Sequence, residues 1–394
     1  MRTILLAVVA VIGAYLAANH ASVKRLDGTH MAAAEIDATV TRLMRAAEVT
    51  GVGIAIFNDR RPVYVKTYGV RDKDTQRPLT TGSVMTAASF TKVAFAYMAM
   101  QLVDEGVIVL DTPIQRYLPR PLPEYSGYES LAADARDIRL TPRMLLDHTS
   151  GFANLRVLEP GRKTQIHFEP GTRYAYSGQG LQLLQLVVET VTRRPLEDLM
   201  RERIFRPFDM TRTSMVWQEA FESDYANGYD EDGRSLGPSR RRSADAAGSM
   251  QTTLGDFTRF VQAVMNGRRL RAQTHKLMLS PQIPIVSKHQ FPTLATETTR
   301  ENDAIHLSYG LGWGLYSTPY GQAFFKEGHD EGWRHYTVTF STQGLGIVIM
   351  TNSSNGEGIY KELLEHLIRN DFTPIEWEGF TPYDRLPPRT ALPK

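Results

Sequence analysis

Cysteine is absent from this sequence of 394 residues. Its absence excludes disulfide bonds, thiolate nucleophiles, thiolate zinc sites, iron–sulfur clusters and lipid attachment to cysteine. An excess of charge of either sign is also missing, because 45 Lys and Arg residues face 43 Asp and Glu residues. Without a strong global field the chain is not expected to bind nucleic acid. Because cysteine is absent, any nucleophile must be an oxygen or an amine.

Several catalytic motifs are missing as well. The sequence has no His-Glu-x-x-His or His-x-His-x-Asp string, and its 10 histidines are scattered along the chain. A metal-dependent hydrolase is therefore disfavoured, and we expect neither a metal nor another cofactor. The Gly-x-Ser-x-Gly elbow of α/β-hydrolases is absent too, so hydrolytic chemistry would need another arrangement of its nucleophile.

The composition is that of a globular protein, with 42% hydrophobic and 22% charged residues. Arg2 precedes an apolar stretch, 4–18, which leads through small residues to Ala21. This pattern predicts a secretory signal, so we expect an exported protein, periplasmic or secreted. Segment 1–21 is either cleaved or kept as an N-terminal anchor, although about 15 apolar residues are short for a bilayer span. Any membrane association is expected through this segment alone.

The rest of the chain divides by its hydrophobic periodicity. Strand patterns form an early and a late group, namely 51–57 and 63–68, then 310–316, 322–326, 333–341 and 344–351. Helical patterns are clearest over 32–47, 89–105, 181–192, 254–266 and 358–368. Strands at both ends with helices between them predict one sheet built from the two ends of the chain. We therefore expect an α+β fold, an antiparallel sheet flanked by N- and C-terminal helices with a mostly helical lobe inserted.

These patterns also predict the domain boundaries. A single domain, 32–370, is expected to hold a sheet lobe (32–85 and 305–370) and a helical lobe (110–263), with a cleft between the lobes. The proline-containing tail 371–394 is expected to be an extended surface segment.

Ser89 and Lys92 are three residues apart at the start of the predicted helix 89–105. Residues at this spacing share a helical face, so Lys92 is placed to take the Ser89 hydroxyl proton. For this Lys92 must be neutral part of the time, which requires burial or a neighbouring positive charge to lower its pKa. The helix start also favours negative charge that develops during acyl transfer. Taken alone, the pattern fits a structural Ser and a surface Lys equally well.

Two later segments carry further side chains able to move protons. Tyr176 follows the turn 167–175 and opens a helix, and His329 lies in 328–332 between two predicted strands. Each has an ordinary alternative, a packed tyrosine and a hydrogen-bonded structural histidine. The string 125–127 repeats Tyr-Ser-Gly, but it lies in a proline-rich connection and receives no role.

A series of motifs in a fixed order carries a resemblance to a known family. They are 88–92 (ASFTK), 102–106 (LVDEG) leading to 110–113 (LDTP), 145–152 (LLDHTSGF), 168–172 (FEPGT), 246–250 (AAGSM) and 309–314 (YGLGWG). From about 36 to 367 the chain resembles the beta-lactamase and penicillin-binding-protein superfamily of active-site serine hydrolases, closest to the class C beta-lactamase and esterase-like branch.

The resemblance implies an acyl-enzyme mechanism. Ser89 would attack a carbonyl with Lys92 as general base, and Tyr176 would pass the proton to the leaving group. His329 would stand in for the Lys of the family's third motif, opposite Tyr176. The oxyanion hole would combine the backbone N–H of Ser89 with one from the strand just after His329.

Two departures from the family pattern bear on the substrate. The second motif usually ends in Asn, but Gly178 occupies that position, so Gln179 either substitutes or the contact is missing. The third motif usually reads basic, Thr or Ser, Gly, whereas Asp330 and Glu331 stand between His329 and Gly332. Their carboxylates would repel the carboxylate of penicillins and peptidoglycan stem peptides unless they point away. Because they occupy the second and third motifs, Gln179, Asp330, Glu331 and Gly332 are the expected substrate-binding residues.

The sequence thus predicts a serine hydrolase that cleaves a small ester, amide or peptide through an acylated Ser89, as an esterase, amidase or D-amino-acid peptidase. A neutral or cationic substrate fits the two departures. A beta-lactamase or DD-carboxypeptidase is the alternative within the same chemistry. A binding or sensing protein that keeps the fold without turnover is the alternative of another class.

Overall fold

The structure, a computed structural model, describes residues 22–386. The predicted leader 1–21 and the last residues, 387–394, lie outside the described residues. Within the described range, no helix is both long and apolar enough to cross a membrane.

The secondary structure alternates between long sheet strands and helices. The strands of the described chain are β1 (Ser22–Lys24), β2 (His30–Ala32), β3 (Gly51–Asn58), β4 (Arg61–Asp72), β5 (Arg77–Pro78), β6 (Met85–Thr86), β7 (Gly228–Tyr229), β8 (Ser235–Gly237), β9 (Gln251–Thr252), β10 (Ile283–Pro284), β11 (Ser308–Tyr309), β12 (Gly314–Thr318), β13 (Gly321–Asp330), β14 (Trp333–Phe340) and β15 (Leu345–Thr351). The α-helices are α1 (Ala33–Ala46), α2 (Phe90–Asp104), α3 (Pro142–Leu146), α4 (Gly178–Thr192), α5 (Leu196–Met200), α6 (Leu254–Met265), α7 (Ala272–Met278), α8 (Tyr360–Leu363) and α9 (Ile375–Glu378). A π-helical turn, Leu364–Ile368, extends α8.

One nine-stranded sheet organises the molecule, in the order β10-β11-β12-β13-β14-β15-β3-β4-β5. The pairing of β15 with β3, for example Ile349 opposite Ile54, is antiparallel and joins the end of the chain to its beginning. The helical middle is inserted between these two parts. The predicted α+β architecture is therefore confirmed.

The two faces of the sheet bury different helices because side chains alternate along a strand. On β3, Val52 and Ile54 lie in the core shared with α1 and the C-terminal helix. Ala55 and Phe57 lie in the core shared with the helical lobe. Helix α1 packs through an apolar stripe, whereas α2 is apolar on all sides and is buried from Phe90 to Leu102. Helix α2 is thus the central helix, and its first residue lies where the lobes meet.

Strand β13 is longer than its sequence pattern predicts. The region 328–332 was expected to connect two strands, but β13 continues to Asp330, and only Glu331 and Gly332 turn the chain into β14. Gly332 has a φ of +79°, a left-handed conformation that glycine adopts without a steric cost. The extension places 326–330 along the cleft as part of a regular strand.

The segment after 370 is not an extended surface segment over its described part, so this expectation is wrong. Residues 375–378 form α9, and the side chains of Trp377 and Phe380 are 3% and 7% exposed. Trp377 contacts the Tyr174 ring, and its carbonyl accepts a hydrogen bond from the Gln290 N–H. These aromatic side chains supply apolar area that the frequent prolines conceal, and their burial stabilises the segment against the body of the protein.

Candidate active site

Ser89 occupies the N-cap position of α2 at the junction of the two lobes, and its half-buried side chain makes no capping hydrogen bond to α2. The preceding residue, Ala88, has a φ of 49°, a strained conformation for a residue with a side chain. Hydrogen bonds on both sides maintain it, from Thr91 Oγ1 to the Ala88 carbonyl (2.6 Å) and from the Ala87 N–H to the Met250 carbonyl (2.8 Å). The resulting bend presents the Ser89 hydroxyl to the cleft.

Lys92 lies one helical turn after Ser89, as the spacing predicts, with its Nζ 3.0 Å from the Ser89 Oγ. The side chain is 4% exposed, and Nζ also donates to the Ala247 carbonyl. Burial and, to a smaller extent, the positive charge of Lys326 lower the pKa of Lys92 to about 7. The requirement that Lys92 be neutral part of the time is therefore met.

Tyr176 lies on the other side of Ser89, just before α4. Its ring is buried, both lysine ammonium groups lie over it, and its hydroxyl interacts with Ser89. The turn is fixed by Ser177, whose Oγ accepts from the Gly180 N–H, and by His148, whose Nδ1 accepts from the Ser177 N–H (3.2 Å). Burial, followed by the charge of Glu327, raises the pKa of Tyr176 well above its usual value. The resting phenol is therefore protonated and can donate a proton.

The cation opposite Tyr176 is Lys326 and not His329, so the predicted position of His329 is wrong. The Lys326 Nζ donates to the Tyr176 hydroxyl at 3.1 Å and forms a buried ion pair with Glu327. Gly328 completes a Lys-x-Gly sequence on β13, and a Cβ at this position would lie 3.0 Å from the Ala87 carbonyl. The signal was in the sequence, because Lys326 ends the predicted strand 322–326 two residues before a glycine.

His329 projects to the rim of the same cleft, where its side chain is 53% exposed and its Nδ1 lies 3.3 Å from Glu357. Asp330 pairs with Arg241 at 3.3 Å, and the exposed Glu331 also lines the cleft. Gly332 is buried in the turn and donates to Ser354. Of the predicted third-motif contacts, three therefore line the cleft, whereas Gly332 shapes the turn behind it.

The register of β13 identifies the backbone N–H that faces the cleft. Because Asp330 and Trp333 close a two-residue turn, their backbone groups pair with each other, as do those of Gly328 and His335. The backbone groups of His329 point the other way, along the edge that β12 leaves open beyond Phe325. The N–H of His329 itself, rather than one after it, is therefore placed to complete an oxyanion hole with that of Ser89.

Gln179 does not replace the missing Asn of the second motif. Its side chain is 1% exposed and bonds to Thr164 and to the Ala153 carbonyl, away from the cleft. Asn154 lies in its place, because its Oδ1 accepts from the Gly178 N–H at 3.0 Å and its side chain lines the cleft. A Cβ on Gly178 would come within 2.8 Å of the Asn154 carbonyl. No sequence pattern indicated Asn154, because the contact depends on a loop that packs across α4.

The cleft around Ser89 has a volume of about 640 Å³. Its walls come from both lobes and from the C-terminal segment, with Leu155, Phe291 and Phe380 as apolar lining. Among residues 22–386, five acidic side chains line it, and no Lys or Arg does. They are Glu327, Asp330, Glu331, Glu357 and Glu378. Three of them are paired with cations that lie outside the lining, namely Glu327 with Lys326, Asp330 with Arg241 and Glu357 with Arg334.

The positions of Lys326 and His329 predict unequal effects of their replacement. Lys326→Met is expected to lower kcat/KM on an activated ester by about 100-fold or more, because it removes a proton donor to Tyr176. His329→Ala removes only an imidazole at the rim and is expected to cost less than about tenfold. Equal losses in the two variants would contradict the assignment.

Folding must be separated from catalysis in this comparison, because Lys326→Met leaves Glu327 buried without its cation. Loss of one partner of a buried pair destabilises a protein by about 3–5 kcal/mol. The double variant Lys326→Met/Glu327→Gln is therefore expected to recover the melting temperature and not the activity.

Comparisons with known proteins identify the family of this chain. A model described as Beta-lactamase matches residues 36–368. A beta-lactamase from Yersinia enterocolitica is 23% identical over 294 residues, which cover 72% of this chain and 69% of that protein. Esterase EstB from Burkholderia gladioli is 26% identical over 216 residues, 48% of this chain and 52% of that protein. The structure of the octameric penicillin-binding protein homologue from Pyrococcus abyssi matches with a TM-score of 0.69 and 20% identity, over 87% of this chain and 80% of that one.

Proposed function

Because this chain belongs to the Beta-lactamase family, we propose that it is a serine hydrolase that cleaves esters or amides through an acyl-enzyme on Ser89. The observation that carries the proposal is the 3.0 Å contact between Ser89 Oγ and the Nζ of a buried Lys92 whose pKa is about 7. A hydroxyl becomes a nucleophile when a base with a pKa near the working pH lies within hydrogen-bond distance.

In the proposed reaction, Ser89 Oγ bonds to the carbonyl carbon while its proton passes to Lys92 Nζ. The negative charge on the carbonyl oxygen is held by the N–H groups of Ser89 and His329. The bond to the leaving group then breaks, and the leaving group takes the proton of the Tyr176 hydroxyl. The tyrosine regains a proton from the lysine ammonium groups beside it. A water molecule then attacks the carbonyl carbon of the acyl-enzyme through the same steps, which releases the acid and restores the Ser89 hydroxyl.

Ester or neutral amide substrates are favoured over beta-lactams by the charge of the cleft. Penicillins carry a carboxylate, and here the cation nearest to its expected position, Lys326, is already paired with Glu327. The carboxylate of Glu331, which makes no ion pair within the described part of the chain, would repel it. Asn154 supplies a side-chain amide beside Ser89 for a carbonyl or an amide of the substrate.

A panel of three substrate types tests this preference on the full chain, with nitrophenyl esters, D-amino-acid amides and a chromogenic cephalosporin. We expect kcat/KM for the best ester or amide to exceed that for the cephalosporin by about 100-fold or more, as expected for a mismatched charge in a desolvated cleft. Turnover of the cephalosporin at the same rate or faster would instead favour the beta-lactamase alternative.

The pH dependence follows from the pKa of Lys92. Only the neutral amine accepts the Ser89 proton, so kcat/KM for an uncharged ester is expected to rise with pH through about 7. Below that value it should fall about tenfold per pH unit. Tyr176 adds no inflection near neutrality, because its pKa is raised well above its usual value. A profile that is flat between about pH 5.5 and 8.5 would contradict the role of Lys92.

A further inference from the structure

The carboxyl group of Glu378 is buried in the cleft beside the Tyr336 hydroxyl, without a hydrogen bond of ordinary geometry in the described part of the chain. Glu378 comes from α9 in the C-terminal segment, is 4% exposed and lines the cleft together with Ser89. Its polar surroundings are Glu327, Lys326 and the hydroxyl of Tyr336. Neither carboxyl oxygen makes a hydrogen bond of ordinary geometry to any residue of 22–386. Buried carboxyl groups are almost always paired, so this one requires an explanation.

Gln290 presents a second acceptor of the same kind. Its side chain is 2% exposed and lines the cleft. Its Nε2 donates to Glu327 Oε1 at 3.2 Å, which fixes the orientation of the amide. The opposite atom, Gln290 Oε1, has no hydrogen-bond partner in the described part of the chain. Gln290 and an ionised Glu378 together therefore offer three buried acceptor oxygens.

A group that donates hydrogen bonds and carries positive charge would satisfy these oxygens and pair with an ionised Glu378. A primary ammonium has three N–H donors and no acceptor, which matches oxygen atoms that lack a hydrogen-bond donor. Lys326 does not fill this role, because its Nζ is engaged by Glu327 and Tyr176. The rings of Phe291 and Phe380 also line the cleft, and aromatic faces attract cations. Burial and the charge of Glu327 raise the pKa of Glu378 well above its usual value, so an arriving cation would favour its ionised form.

We propose that Glu378, Gln290 and Glu327 form a subsite for a primary ammonium group, so that the preferred substrates of Ser89 carry an amine cation. This inference rests on the proposed hydrolase function, and it assigns the substrate class. The subsite also gives the C-terminal segment a role, because the docking of Trp377 and Phe380 brings Glu378 to the cleft. In this subsite the substrate supplies the ammonium group, and α9 supplies the carboxylate that binds it.

Three esters that differ in one terminal group test the proposal on the full chain. They are the p-nitrophenyl esters of 6-aminohexanoate, heptanoate and heptanedioate, whose termini are cationic, neutral and anionic. We expect kcat/KM to fall in that order, with a ratio of cationic to neutral ester of about tenfold or more. A ratio near one, with hydrolysis that depends on Ser89, would overturn the subsite and leave the hydrolase function standing.

Substitutions test whether the preference for the cationic ester comes from Glu378. Glu378→Gln keeps the size of the side chain and is expected to lower the ratio of cationic to neutral ester by about tenfold. Glu376→Gln is the matched control, because Glu376 lies in the same helix, undergoes the same charge change and has a side chain that is 88% exposed. An equal fall of the ratio in both variants would show a long-range field instead of a contact and would overturn the proposal. Gln290→Met provides a second variant, also expected to lower the ratio, should Glu378→Gln fold poorly.

Calorimetric binding of n-hexylammonium and 1-hexanol gives a readout that does not need turnover. We expect the amine to bind at least about tenfold more tightly than the alcohol, and Glu378→Gln to abolish the difference. Equal binding of the two would indicate a subsite for a neutral donor and overturn the ammonium assignment. Amine binding by a chain that hydrolyses none of the esters would support the subsite while rejecting the hydrolase function, so the two failures are distinguishable.

Discussion

Replacement of Ser89 by alanine is expected to lower kcat/KM for an activated ester by about 10⁵-fold, because loss of the nucleophile removes the whole covalent route. The residual rate would come from the oxyanion hole and substrate binding. Stability should change by only about 1 kcal/mol, because the half-buried side chain gives up a hydrogen bond from Lys92 and its contact with the Tyr176 hydroxyl. Initial rates with a nitrophenyl ester, together with thermal melting of both proteins, measure the two effects.

The control for this variant is Ser177→Ala. Ser177 caps α4 and is buried beside Tyr176, but its hydroxyl bonds to the Gly180 N–H and the Ala153 carbonyl rather than to the cleft. Loss of a helix cap costs about 1 kcal/mol, so this variant should melt at a lower temperature and keep far more activity than Ser89→Ala. An active Ser89→Ala protein would reject the proposed nucleophile, whatever its stability.

Replacement of Lys92 by methionine is expected to lower kcat by about 10³- to 10⁴-fold, the range attributable to a general base. The same change should leave the melting temperature similar or higher, because an apolar side chain of similar length replaces a buried amine. Opposite effects on activity and stability would identify Lys92 as a group held in place for chemistry. Kinetics and thermal melting of one preparation test both parts.

Lys92→Arg supplies the stricter control for the same position. An arginine keeps positive charge and length, but its pKa above about 12 prevents it from accepting a proton near neutrality. We therefore expect Lys92→Arg to be as inactive as Lys92→Met. Substantial activity in the arginine variant would mean that charge near Ser89 is sufficient and that proton transfer to Lys92 is not required.

Local patterns predicted the part of the site that one helix builds. Ser89 and Lys92 are three residues apart on α2, so the 3.0 Å contact between them follows from helical geometry. The antiparallel sheet and its inserted helices followed from two groups of alternating strands, and the family was indicated by motifs that the match over 36–368 confirms.

The errors arose where function depends on register or on distant segments. His329, three residues beyond Lys326, was placed opposite Tyr176 because the third motif was read toward Gly332 instead of Gly328. A strand that ends at Asp330 instead of near 326 changes which side chains face the cleft. Asn154 and Glu378 reach the cleft through loops and a docked terminal helix, and single-sequence periodicity carries no information about such contacts.

The most direct test is to trap the acyl-enzyme on the full chain. The protein is mixed with a p-nitrophenyl ester, quenched in acid within the first turnover and examined by intact mass and peptide mapping. We predict one added acyl group on the peptide that contains Ser89, formed together with a burst of nitrophenol and absent from Ser89→Ala. Nitrophenol release without an acyl group on Ser89, or an adduct that persists in Ser89→Ala, would contradict the account.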